Sequence, residues 1–224
     1  MVKRNIKILQ ADGVTIVLPQ VKKLACGDIG DGALADISVI KDYIVNNLQW
    51  EFPLDNFNGI PVGEHLGSFG VYRKFDRHNG VDLYCKEGEI VHAVEDGNVV
   101  CIEEFTGSNA GTPWWLNTMC VKVEGASGVV GYGEILPNKN LYVGKFVKKN
   151  TEIGNVTPVL RPEKLRKDIE GHSCSMLHMQ IYQYGTLHMP DDWRLEDKEV
   201  PVGVIDPTQY LVNSCKVNKL KLLN

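Results

Sequence analysis

Long apolar runs are missing from this 224-residue chain: the longest, such as residues 14–18, are far shorter than the roughly 20 residues that span a bilayer. Nothing therefore directs membrane insertion. No apolar signal core follows the basic start, so the expectation is synthesis in the cytoplasm without a signal peptide. Tight cysteine pairs are also lacking. Cys26, Cys85, Cys101, Cys120, Cys174 and Cys215 never form a Cys-x-x-Cys pair, which excludes a cysteine-based zinc ribbon. They read as reduced thiols in a chain large enough to fold without staples. An excess of basic charge is the third absence. With 24 Lys and Arg against 28 Asp and Glu, the net charge of −4 offers no field for a phosphate backbone, so nucleic acid is not an expected partner.

What is present is ordinary globular composition, 43% hydrophobic and 23% charged, enough for a sizeable core. Texture changes along the chain. Alternation at Val14, Ile16 and Leu18 predicts a short strand, and Ile37, Ile40, Tyr43, Ile44 and Leu48 have helical spacing. Residues 1–58 thus read as a small α+β extension, and the Pro-, Gly- and Asn-rich stretch 52–70 as a linker on the surface. From Val71 onward short strand signals dominate. Asp96-Gly97 between residues 91–94 and 98–103 predicts a hairpin. A second turn at 125–128 separates strands at 118–123 and 129–135, and further strands are expected at 141–147, 152–159 and 176–184. Residues 161–170 are charged and read as either a short helix or a solvated loop. The fold class is mainly β, an antiparallel β-sandwich or open barrel over residues 59–213, followed by a tail at 214–224.

His78 and Asp82 lie on one side of a glycine-containing turn into a strand and can supply two ligands to tetrahedral zinc. His and Asp four apart also occur by chance. His178 offers a third ligand, on the strand face it shares with Met176 and Gln180. Its plainer reading is a core histidine satisfied by a backbone carbonyl. Three protein ligands and an open fourth position would make a catalytic zinc site rather than a structural one.

The run from His78 to Leu83, then Gly88, Val91-His92-Ala93-Val94 and Asp96-Gly97-Asn98-Val99-Val100, resembles the signature of lysostaphin/LytM-type zinc peptidases. Downstream, Tyr132-Gly133-Glu134-Ile135 looks like the family's Tyr-x-His-Leu strand. Val143-Gly144, Val147-Lys148 and Ile153-Gly154-Asn155-Val156 resemble its glycine-punctuated hairpin. Met176-Leu177-His178-Met179 falls where the family has His-x-His-Phe, and Asp206-Pro207 with Tyr210-Leu211 resembles its closing element. The resemblance covers about residues 60 to 211. It implies an antiparallel β-fold with a groove, zinc held by His78, Asp82 and His178, and hydrolysis of peptide bonds, typically in peptidoglycan. A wall-active product made without an export signal would reach that substrate by lysis or in a virion.

Two residues depart from the pattern. Glu134 and Met176 stand where the family has histidines that orient water and stabilise the oxyanion. A thioether donates no hydrogen bond and carries no proton, so Met176 cannot do that work. Glu134 can act as the proton-carrying base, or bind zinc as a fourth ligand and close the site. His172, in the loop before Met176, either supplies the missing imidazole or is an exposed loop residue. Gln180 can orient a ligand by hydrogen bonding, and Tyr132 is a candidate oxyanion donor or a packed aromatic. Trp114 and Trp115 either line a substrate groove or are buried under the loop at 107–113. Glu103-Glu104 and Asp191-Asp192 read as solvated acidic pairs, His92 as structural, and His65 and His188 receive no role. The leading function is a zinc metalloendopeptidase of peptidoglycan or another peptide; the alternative is a catalytically inactive zinc-containing binding module of the same fold.

Overall fold

The computed structural model describes residues 4–7, 16–23, 29–40, 50–161, 175–188 and 193–224. The chain divides into two units, Met1–Leu48 and Gln49–Asn224. In the first, residues 4–7 and 37–40 are helical, and β1 (Gln20–Lys23) pairs antiparallel with β2 (Ile29–Ala33). Residues 16–18 are irregular, so the strand read from alternation there starts instead at Gln20. Pro19 has no N–H to give to a ladder. The helix expected over 36–48 lies outside the described residues after residue 40.

The second unit is mainly β. Its strands are β3 (Ile60–Pro61), β4 (Val81–Tyr84), β5 (Ile90–His92), β6 (Gly97–Thr106), β7 (Thr118–Gly125) and β8 (Gly128–Pro137). They continue with β9 (Phe146–Val147), β10 (Glu152–Val156), β11 (Met176–Tyr182), β12 (Val204–Ile205) and, after helix α1 (Thr208–Ser214), β13 (Leu222–Leu223). Nine of them form an antiparallel sheet in the order β12-β11-β8-β7-β6-β9, with β4 on β11 and β10 joining β8 to β5. β13 pairs in parallel with β3, which lays the chain's tail against the start of the unit. Among the described residues no helix is long and apolar enough to cross a membrane.

Local chemistry explains part of this pairing. β7 and β8 form the hairpin expected from the turn at 125–128, closing at Gly125 opposite Gly128. Gly128 has φ +124°, and a Cβ there would lie 2.2 Å from the Tyr182 carbonyl oxygen, so only glycine fits. The hairpin expected around Asp96-Gly97 does not form. β5 pairs with β10, while β6 pairs with β7 and β9, so the turn redirects the chain between different partners.

One face of the sheet carries the core. Val81, Leu83, Val99, Val121, Val130, Tyr132, Leu177, Met179 and Ile181 are fully buried and join Leu211 of α1 in a single cluster. At about 1.5–3 kcal/mol for each large apolar side chain, this cluster dominates the unit's stabilisation. Trp50, Leu54 and Ile60 belong to it, so the stretch at 52–70 is not a surface linker as its composition suggested. Its apolar residues outweigh its turn-formers, and Ser68 is buried as well.

The opposite face is shaped by a bulge. Between Tyr132 and Ile135, β8 places two residues, Gly133 and Glu134, opposite the single Cys120 of β7. On its other edge β8 pairs with β11 through residues 129–133 and with β10 through 135–137. The strand therefore forks at Glu134, which has φ +64°. Bulges bend a strand and re-aim one side chain, and this one isolates a carboxylate where two strands part.

Candidate metal centre

Three side chains meet beside that fork. His178 lies opposite Asp82 on β4 and opposite Gly133 on β8, so sheet register alone makes these residues neighbours. His78 comes from the loop that leads into β4. All three ligand candidates are buried, at 2%, 3% and 5% relative exposure for His78, Asp82 and His178. Their donor atoms lie within 4.8 Å of one another. His178 Nδ1 is 2.8 Å from Asp82 Oδ1 and 3.1 Å from His78 Nε2, which is itself 3.2 Å from Asp82 Oδ1.

The surroundings set the chemistry of each group. His78 Nδ1 lies 2.9 Å from the Ser68 carbonyl oxygen, which can only accept, so Nδ1 donates there and Nε2 faces the cluster. Burial works to raise the Asp82 carboxyl, but the His78 and His178 imidazoles outweigh it and hold that group well below the usual carboxylate range. Burial pushes His178 down, against its hydrogen bond to Asp82, and so favours the neutral ring that ligates metals. Gly80 lets the turn close over this ring: a Cβ there would stand 2.7 Å from His178 Nε2 and 2.5 Å from the Met179 carbonyl oxygen.

The donor set fits zinc. Tetrahedral bonds of about 2.0–2.2 Å separate ligand atoms by roughly 3.3–3.6 Å, so the cluster must open by less than about 1 Å to take an ion. Two buried atoms, His178 Nε2 in the cluster and Glu134 Oε2 at the fork, have no hydrogen-bond partner among the described residues. Glu134 does not belong to the group of donors within 4.8 Å of one another. Burial, reinforced by the charge of Asp82 and opposed by that of Arg73, pushes its carboxyl well above the usual range.

The other residues singled out in the sequence take varied places. Met176 is half-buried on β11, two residues from His178. Gln180 donates to Asn79 Oδ1 at 3.1 Å, bracing the turn between His78 and Asp82 rather than touching a ligand. Tyr132 faces the core, where its hydroxyl oxygen accepts from the Val94 N–H at 2.9 Å, so it is not placed to donate to an oxyanion. Trp114 is 52% exposed rather than buried, with its ring 6.3 Å edge-on from that of half-buried Trp115. Glu103 is no free solvated acid: it pairs at 2.6 Å with Lys122, a buried cation. His92 Nε2 is 3.8 Å from Asp55, His65 Nδ1 accepts from the Gly67 N–H, and His188 lies beside Glu103. His172, Asp191 and Asp192 lie outside the described residues.

Two neighbours of the cluster carry no motif in the sequence. The Phe105 ring centroid is 5.2 Å from that of His178, over Gly133, where a Cβ would meet the ring at 2.7 Å. Arg73 pairs directly with Asp82 Oδ2. The only signal for Arg73 was a cation five residues before His78 in a turn-rich stretch.

No family model matches the chain. Among curated proteins, a probable phosphopantothenoylcysteine decarboxylase of Arabidopsis thaliana is 45% identical over 49 residues, 22% of this chain and 23% of that protein. Among solved structures, Helicobacter pylori Csd3 aligns at 23% identity and TM-score 0.39 over 66% of this chain and 35% of that one. The cbpa protein of L. salivarius REN aligns at 20% identity and TM-score 0.47, covering 75% of this chain and 97% of that one. The catalytic domain of the antimicrobial peptidase lysostaphin from Staphylococcus simulans aligns at 19% identity and TM-score 0.36, covering 76% and 96%. The chain thus spans about a quarter of the curated relative and about a third of Csd3.

Proposed function

We propose that the protein is a zinc-dependent hydrolase of peptide bonds in peptidoglycan, with His78, Asp82 and His178 as zinc ligands and Glu134 as its base. The observation that carries this reading is a set of three donor atoms 2.8–3.2 Å apart, with buried Glu134 following Gly133, the residue opposite His178, and its Oε2 without a hydrogen-bond partner among the described residues. The resemblance of residues 78–100 to lysostaphin/LytM-type peptidases supports it. Zinc, when bound, polarises the scissile carbonyl and activates water near neutral pH.

Glu134 takes a proton from the attacking water as the new C–O bond forms. It returns that proton to the nitrogen as the C–N bond breaks. Burial raises the proton affinity of this carboxyl, which suits a group that takes a proton and then passes it on. Met176 adds no donor or proton carrier.

The test is release of new amines from purified peptidoglycan by zinc-loaded protein. Wild type is expected to release them, His178→Ala to lose both zinc and activity, and Glu134→Gln to keep zinc while losing about 100-fold or more in rate. Zinc-loaded wild type that releases no amine would refute the reading.

A further inference from the structure

Two arginines in the loop before His78 are held in different ways. Arg77 is held against aromatic rings: Nε donates to the Gly70 carbonyl at 3.0 Å, Nη1 to the Asp197 carbonyl at 2.9 Å, and the guanidinium lies over the Tyr72 and Trp193 rings at 4.6 and 4.4 Å. With the bridge between Tyr72 and Arg77, these contacts pin the base of the short turn that carries Arg73. Arg73 Nε and Nη2 donate to the Leu66 carbonyl at 3.2 and 2.9 Å, and Nη2 also pairs with Asp82 Oδ2. Its Nη1 bonds to nothing among the described residues, and the side chain is 33% exposed.

We propose that Arg73 is the oxyanion donor of this site, its free Nη1 receiving the scissile carbonyl oxygen as negative charge develops there. The inference rests on the hydrolytic reading above. Glu134 and Met176 offer no N–H to that oxygen, whereas a guanidinium is always protonated and presents five donors in a rigid fork. Arg73 is fixed before substrate arrives, since two of its three nitrogens are already bonded, and a preorganised donor gains most from charge that appears only in the transition state. The same arrangement divides the work of Asp82: Oδ1 faces the two imidazoles and Oδ2 faces Arg73. Asp82 thereby joins Arg73 to the two imidazoles.

The test compares wild type, Arg73→Ala and Arg73→Lys at measured zinc content. Each is assayed for hydrolysis of an alanine-based peptide and titrated by calorimetry with its phosphinic acid analogue, in which a tetrahedral phosphinate replaces the scissile amide. Expected are retained zinc in at least the lysine variant, KM within about threefold of wild type, and a fall in kcat of roughly 100- to 1000-fold in Arg73→Ala. Phosphinate affinity should fall in parallel, and added guanidinium ion should restore part of the lost rate in Arg73→Ala. Unchanged phosphinate affinity in zinc-loaded variants would overturn the proposal. So would loss of zinc from both variants, which would make Arg73 a positioning residue for Asp82. Wild type that binds zinc and cleaves, with variants that do the same, sinks this inference alone; wild type that does neither sinks the hydrolytic reading with it.

Discussion

The two faces of β11 obey different rules. Leu177, Met179 and Ile181 point into an apolar core that holds the sheet together, whereas His178 and Gln180, also buried, meet the polar side chains of Asp82 and Asn79. Burial on the first face stabilises by removing apolar surface from water. On the second it raises the cost of every polar group that lacks a partner, and among the described residues the fold accepts that cost at Glu134 Oε2. Alternate residues of one strand thus serve the core and, on the proposed function, the chemistry, so substitutions one position apart should fail differently.

The sharpest break in this comparison is His178→Ala, which should lower hydrolysis by at least about 1000-fold and abolish tight zinc binding; parallel metal analysis and rate measurements check it. Its neighbour Leu177→Ala should instead lose about 2–5 kcal/mol of stability, read from denaturant unfolding, while the folded fraction keeps its zinc. Gly133→Ala lies between these regimes. The added methyl meets the Phe105 ring and should cost about 1–3 kcal/mol with a shift of the Phe105 and His178 ring signals in NMR. Glu134→Gly should reverse the sign, stabilising the metal-free protein by about 1 kcal/mol because φ +64° suits glycine, while hydrolysis is lost.

The smallest expected effect lies away from the site, at Glu95. This buried carboxyl accepts from the Ser127 N–H and hydroxyl, yet burial raises it above its ordinary value of 4.5. Above that pH the unfolded state has released its proton while the native state retains it, so the native state binds more protons and stability falls as pH rises toward the folded value. Glu95→Gln should flatten the pH dependence of unfolding in that window. An unchanged slope would contradict the assignment.

Much of the architecture is legible in the sequence where local rules decide. Gly125 and Gly128 announce the β7–β8 hairpin because the chain must turn tightly there, and alternation along 176–182 separates core from site. Pairing chosen by distant partners is not legible: Asp96-Gly97 turns the chain, but β10, β7 and β9 decide where the flanking strands go. The same holds within the site. His78, Asp82 and His178 could be grouped from spacing and resemblance, but the fork that isolates Glu134 depends on register across three strands. Tyr132 reads as a donor next to Glu134, yet the bulge begins just after it and leaves it facing the core. Arg73 escapes notice because its contact with Asp82 is made by a loop whose path no periodicity describes.

Zinc binding by His78, Asp82 and His178 is the condition for the proposed hydrolysis. The most direct measurement is zinc per chain, by atomic absorption on purified wild type and His178→Ala after dialysis against a weak chelator and readdition of metal. One zinc per wild-type chain, with far less in His178→Ala, is the predicted result; a wild type that holds no more zinc than the variant would contradict the account at its centre.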